Sequence, residues 1–192
     1  NNFWNWDKQR KSLLDSTNIN YNELIKKIDS EAGNFKTSHL NSSHSYNYFK
    51  SNNSVVLISY LQPIINKIKT YNNQNIYYCL DRNLTHNLFG PIIITNTSYF
   101  TIINDYFVFS DNANSIKYLI DNFISKNTLI NSNHFTKYNT LLSQKSNLTI
   151  YSNPGKSFQK FHNDLRKDYK KKIKINKDSI SNITGLSLQI SN

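Results

Sequence analysis

The sequence predicts an α+β fold, a mainly antiparallel sheet with helices packed on one face. Three observations carry this reading. Short alternating runs such as "NIYYCLDR" and "SYFTIINDYFVFS" have strand periodicity, and the second is divided by an Asn104-Asp105 turn signal. Longer runs such as "NANSIKYLIDNF" instead repeat their apolar residues every three or four positions, which is helical spacing. A strand-turn-helix pattern also occurs twice: "YFKSNNSVVLISYL" is echoed by "FVFSDNANSIKYL", over about 46–69 and 98–124.

Two short helices are expected at the start, over 6–16 and 20–33. In the second, Leu24, Ile25 and Ile28 share a face and Gly33 serves as a C-cap. Residues 36–45 are polar and read as a loop or weak edge strand, and "YNYFK" as a strand. A helical stripe of Val55, Ile58, Leu61, Ile65 and Ile68 follows, kinked or divided at Pro63. Strands are expected near 46–50, 76–81, 98–104, 106–110, 147–152 and 185–191. The helix after the hairpin carries Ile116, Leu119, Ile120 and Phe123 on one face. Residues 83–95 are broken at Gly90-Pro91, and 128–144 form a link with a short helix from Phe135 to Leu142. A basic amphipathic helix spans about 156–172, turning Phe158, Phe161, Leu165 and Tyr169 inward, and Leu186, Leu188 and Ile190 line one side of the last strand. In the echoed units Ser51 and Ser110, or the Asx residues beside them, are placed to cap the helices that follow. This favours a packing module over a site.

The chain has 192 residues, enough for one core, and reads as a single domain over 1–192. Asn is the most frequent residue, with Ser, Lys and Ile next, while Gly, Pro and Ala are scarce. Asn, Lys, Ile, Tyr and Phe share A/T-rich codons, so genome bias explains this better than a prion-like tract. Met is absent even at position 1, which reads as a fragment of a longer chain. No apolar run reaches the roughly 18–20 residues of a membrane span.

The net charge of +11 raises nucleic acid and anionic surfaces as partners. Lys156, Lys160, Arg166, Lys167, Lys170 and Lys171 are the candidate contacts. The charge is Lys-rich and Arg-poor, which weakens base reading, because Arg supplies the bidentate contacts. A solvated face is the simpler use, and no specific nucleic acid is expected. Cys79 is the one cysteine, excluding a disulfide framework or thiolate metal cluster, and its apolar neighbours make it a buried, inert thiol. His39, His44, His86, His134 and His162 share no metal-ligand spacing, and Asp105 and Asp111 read as turn and cap residues. "NPGKS" offers Lys156 at a strand-to-helix junction but lacks the upstream glycine of a phosphate loop, so a turn and cap explain it. No metal, no cofactor and no catalytic constellation are assigned. A hydrolase-like enzyme ranks third among the readings.

From "LFGPIIITNTSYF" through "VFSDN", the "TL" after the helix, the F-x-x-Y helix and "SNLTIY" to "NPGKS", residues 88–157 resemble a family of uncharacterised Gram-negative (Bacteroidetes-type) envelope proteins. "GLSLQIS" is similar to that family's last strand. The resemblance implies a lipoprotein-like domain of unknown function before a β-propeller-like region. It also implies an envelope location, flanking domains and an envelope protein as partners, and no catalytic residues to carry over. The reading is therefore a non-enzymatic structural or interaction domain of a cell-envelope protein. The alternative is nucleic-acid or anionic-surface binding through the Lys-rich segment at 156–177.

Overall fold

Pairs of adjacent Asx residues set two of the hairpins. Asn72 and Asn73 have φ of 46° and 61°, and Asn104 and Asp105 have 48° and 66°. Two consecutive positive φ values make the two-residue turn whose twist matches that of antiparallel strands, and Asn and Asp tolerate the left-handed region best after Gly. In the computed structural model these turns join β3 (Ile65–Tyr71) to β4 (Gln74–Cys79) and β5 (Tyr99–Ile103) to β6 (Tyr106–Ser110). The residues described are 19–39, 42–90, 93, 96–143, 145–164 and 166–191. The helix expected over 6–16 lies outside them.

The chain divides into two compact units, Asn1–Asn122 and Phe123–Asn192, where the sequence reads as one domain. In the first unit, α1 (Tyr21–Ile25) leads into a long hairpin, β1 (Ile28–His39) and β2 (Ser42–Ser51), followed by α2 (Ser54–Leu61). A 3-10 turn (Gln62–Ile64) leads to β3 and β4, then α3 (Leu84–Phe89), β5, β6 and α4 (Ala113–Ile124). The six strands form one antiparallel sheet in the order β1-β2-β6-β5-β4-β3. The class is α+β with an antiparallel sheet, as expected.

Two helical expectations are corrected. The helix read over 20–33 stops at Ile25. Gly33 is not a cap but a strand residue facing Tyr48, where an added Cβ would lie 3.0 Å from the ring. The stripe carried through Ile65 and Ile68 ends at Leu61, because Pro63 sits in the 3-10 turn and β3 begins two residues later. Of that stripe Leu61 is buried, whereas Val55 is 71% exposed.

Each hairpin ends in the same local device. Ser51-Asn52-Asn53, Asp81-Arg82-Asn83 and Ser110-Asp111-Asn112 stand directly before α2, α3 and α4, so the strand-turn-helix pattern found twice in the sequence has a third copy, in which Asn83 makes no side-chain cap. Ser51 Oγ accepts from Asn53 N (3.1 Å), and Asp81 Oδ1 accepts from Asn83 N (2.9 Å). Asn53 Oδ1 then accepts from Val56 N, and Asn112 Oδ1 from Ser115 N, each occupying an orphan amide of its helix. The caps fall on the Asx residues, while the serines tie strands together: Ser110 Oγ donates to Ser45 O and Ser51 Oγ to Lys27 O.

Helices lie on both faces of the sheet, not on one. Tyr46 Oη donates to Ser115 O of α4, whereas the next residue, Asn47, donates through Nδ2 to Thr85 of α3. Successive strand residues point to opposite faces, so α3 and α4 are on opposite sides. The larger core gathers Leu24, Leu57, Leu61, Leu84 and Leu88 over Phe49, Phe100, Phe107 and Phe109. The smaller sets Ile116 and Ile120 of α4 against Ile76, with Tyr71 and Tyr99 beside them. The pleat explains the division. Phe49 and Cys79, each two residues before its junction, belong to the larger core, but before the third junction it is Phe109, one residue earlier, that does. A one-residue shift against a period of two sends the following helix to the other face.

The second unit holds a 3-10 turn (Leu129–Asn131), α5 (Asn133–Asn139), β7 (Leu148–Ser152), α6 (Pro154–Asp164), α7 (Lys167–Ile175), α8 (Lys177–Ser181) and β8 (Leu186–Ile190). Strands β7 and β8 pair antiparallel with each other and do not join the large sheet. The basic helix expected over 156–172 is two helices, because Arg166 is extended (φ −62°, ψ 148°) after the weak helix formers Asn163 and Asp164.

Candidate functional site

The chemistry-bearing residues of the first unit are committed to the fold. Cys79 is fully buried, and its Sγ donates to Asp81 O at 3.2 Å. Burial, reinforced by the Asp81 carboxylate, pushes this thiol from 9.0 up to about 12, so it stays protonated and unreactive at neutral pH. Asp81 is buried too. Its Oδ2 accepts from Tyr21 Oη at 2.6 Å and from Asn87 Nδ2 at 3.3 Å, while Oδ1 takes the Asn83 amide. Burial first, and then this carboxylate, holds the Tyr21 hydroxyl protonated far above the ordinary phenol range. The node ties α1 to α3 across 60 residues of sequence, a partnership that no local pattern signals.

His44 and His86 of this unit are similarly engaged. His44 Nδ1 lies 2.9 Å from Ser115 Oγ, and its ring stacks on Tyr118 at 4.5 Å. A serine beside a histidine has the composition of a nucleophile and base, but Ser115 is 1% exposed, so a substrate carbonyl has no approach. His86 Nδ1 is 3.1 Å from Ile93 O. Among the described residues, no group of three or more His, Cys, Asp or Glu side chains converges as a metal site would require.

The second unit differs in kind. Residues 123–192 carry 12 Lys or Arg against 3 Asp and no Glu, a net +9 of the chain's +11. Lys156, in the first turn of α6, is exposed. Its backbone amide, like the Ser157 hydroxyl, bonds to Asn153, so "NPGKS" forms a turn and cap. Gly155 is obligatory there, because an added Cβ would lie 2.4 Å from Ser181 O. Arg166 and Lys171 are exposed, on and after the break between α6 and α7. Lys170 donates through Nζ to Asn163 O at 3.0 Å, occupying a terminal carbonyl of α6. Lys160 and Lys167 lie in α6 and α7, with side chains outside the described residues. The expected inward stripe holds at Phe158, which is buried, and fails at Tyr169, which is 54% exposed. Phe161 and Leu165 are outside the described side chains.

The side chains that do converge were not among the sequence candidates. Phe158, His162, Lys174 and Lys177 line a hollow of about 200 Å³ on this unit, with the His162 ring stacked on Phe158 at 6.0 Å. Phe158 and His162 are four apart on α6, a spacing that puts them on one helix face. Lys174 and Lys177 arrive there only because the chain breaks before Lys167 and turns again at Asn176. Two lysines beside an aromatic floor bring positive charge to the hollow, which suits a phosphate-bearing ligand.

The β7–β8 sheet belongs to the same unit. Its two faces are unlike. Tyr151 packs edge-on against Phe135 at 5.1 Å, Tyr138 donates to Ser187 Oγ, and Gln189 exchanges hydrogen bonds with Ser143, so one face is covered by α5 and the segment after it. Leu148, Ile150, Leu186, Leu188 and Ile190 share the opposite face by register and are 44–61% exposed.

No family model, curated protein or solved structure matches this chain. No helix among the described residues is long and apolar enough to cross a membrane.

Proposed function

We propose that this chain is a non-enzymatic interaction domain of a cell-envelope protein, and that its carboxy-terminal unit attaches it to an anionic membrane surface. The observation that carries the reading is the segregation of charge. The first 122 residues are nearly balanced, with 11 basic and 9 acidic side chains, while the last 70 hold +9. Composition bias alone would spread lysine evenly. A cationic unit is drawn to anionic headgroups with about 1 kcal/mol per lysine near the surface, and the hollow at Lys174 and Lys177 supplies a place for a phosphate. The buried Cys79, Asp81 and Ser115 support a role in folding for the groups that an enzyme would expose. The resemblance to envelope proteins agrees with this assignment.

The test is binding of the full chain to vesicles of phosphatidylglycerol and phosphatidylcholine, against phosphatidylcholine alone. Binding is expected only to the anionic vesicles and should weaken steeply with salt. The Lys174→Gln, Lys177→Gln double variant should bind roughly 30-fold more weakly, the equivalent of two lysines at about 1 kcal/mol each. Duplex DNA should bind only in the nonspecific range of roughly 10⁻⁴–10⁻⁶ M. Equal affinity for neutral vesicles, or tight sequence-preferring DNA binding at physiological salt, would overturn the assignment.

A further inference from the structure

We infer that the open face of the β7–β8 sheet is a bilayer-contacting surface, seated at the level of the lipid headgroups and upper acyl chains. The inference rests on the anionic-surface reading and adds an apolar component to it. Five aliphatic side chains on one face of a two-stranded sheet form a contiguous patch of the kind that marks an interaction site. Such a sheet is marginal alone and gains from cover on both faces, yet α5 covers only the Tyr151 and Ser187 side.

Charge selects the occupant. A second copy seated on this face would bring two units of +9 together in a small volume, and the repulsion opposes the apolar gain. An anionic bilayer reverses that sign, offering phosphates to the lysines and hydrocarbon to Leu148, Ile150, Leu186, Leu188 and Ile190. The backbone limits the depth. A two-stranded sheet has open edges, whose N–H and C=O groups need water, so the strands must stop at the interface and not enter the hydrocarbon core.

The experiment uses the full chain and vesicles of equal parts phosphatidylglycerol and phosphatidylcholine. A polarity-sensitive fluorophore is placed at Leu188→Cys and, as control, at Asn66→Cys, an exposed position on β3; Cys79 is shielded by burial. The label at 188 should shift to the blue and be quenched by lipids brominated high in the acyl chain, while that at 66 should not respond. An Ile150→Gln, Leu188→Gln variant, with its thermal transition checked against the parent, should bind at least tenfold more weakly and keep the same salt dependence. Anionic binding that is salt-sensitive but shows no quenching at 188 and no loss in this variant would leave the electrostatic reading standing and overturn this one. A dimer in solution that the variant disperses would assign the face to a second copy and also overturn it. Failure to bind anionic vesicles at all would remove both.

Discussion

Cys79 and its neighbours show how far single residues could be read. Its burial was legible from the apolar residues around it, and the structure adds the cause of its inertness, desolvation reinforced by the nearby Asp81 carboxylate. Labelling of the native protein by a thiol reagent at neutral pH should therefore be slow, and fast once the chain is denatured; rapid stoichiometric labelling of folded protein would contradict the packing. The same thiol makes stability pH-dependent. Its folded pKa of about 12 lies above the ordinary 9.0, so its contribution is complete below about pH 9 and is lost as pH rises toward 12. By pH 10 on the order of 1 kcal/mol should be gone from this group alone, and the raised Tyr21 hydroxyl acts in the same direction at higher pH. Denaturant midpoints taken between pH 8 and 10 should fall, and fall less in Cys79→Ala. Partnerships such as Tyr21 with Asp81 were not legible, because 60 residues separate them and nothing local requires either one.

At the level of elements, the sequence was most informative where side chains bond to their own backbone. The Asn104-Asp105 turn and the caps at the starts of α2 and α4 were read correctly because Asx chemistry is local. The Asn72-Asn73 turn carried the same signal, but a helical reading of Ile65 and Ile68 covered it. Two isoleucines three apart fit a helix as readily as an irregular strand, and β3 carries a register shift between Lys67 and Lys69 that spoils its alternation. Gly33 misled for a similar reason: it suits a helix end, and it also suits a strand crossed closely by Tyr48. If the Asx caps do the work assigned to them, Asn112→Ala should lower stability by about 1 kcal/mol in chemical denaturation, whereas Asn114→Ala, at the second residue of the same helix, should change it little. An equal loss at both positions would show that α4 does not depend on this cap.

Over the whole molecule, the fold class was legible and the partition was not. Strand periodicity at 148–152 and 186–190 says that strands exist there, but not that they pair only with each other. Nor does it say that their aliphatic side is open, since alternation marks a face without naming what covers it. Burial differs sharply between the units. Phe158 is the one buried hydrophobic among the described residues of 123–192, while the first unit buries a continuous set from Ile19 to Ile120. Local stability follows apolar burial, so amide exchange should be slowest in β5 and β6 and markedly faster in β7 and β8. Equal protection across the two sheets would contradict this ranking.

The strand order β1-β2-β6-β5-β4-β3 bears on how the protein is made. The hairpin at the centre of the large sheet is the last of the three to leave the ribosome. Until residues 99–110 emerge, the first two hairpins share no ladder: β2 awaits β6 and β4 awaits β5, and each holds an unpaired edge open to the wrong neighbour. Arrival of the third hairpin joins both at once and brings Phe100, Phe107 and Phe109 into the core in the same step. Translation thus delivers the keystone last, and a nascent chain stalled before Tyr99 holds two hairpins that no strand ladder joins.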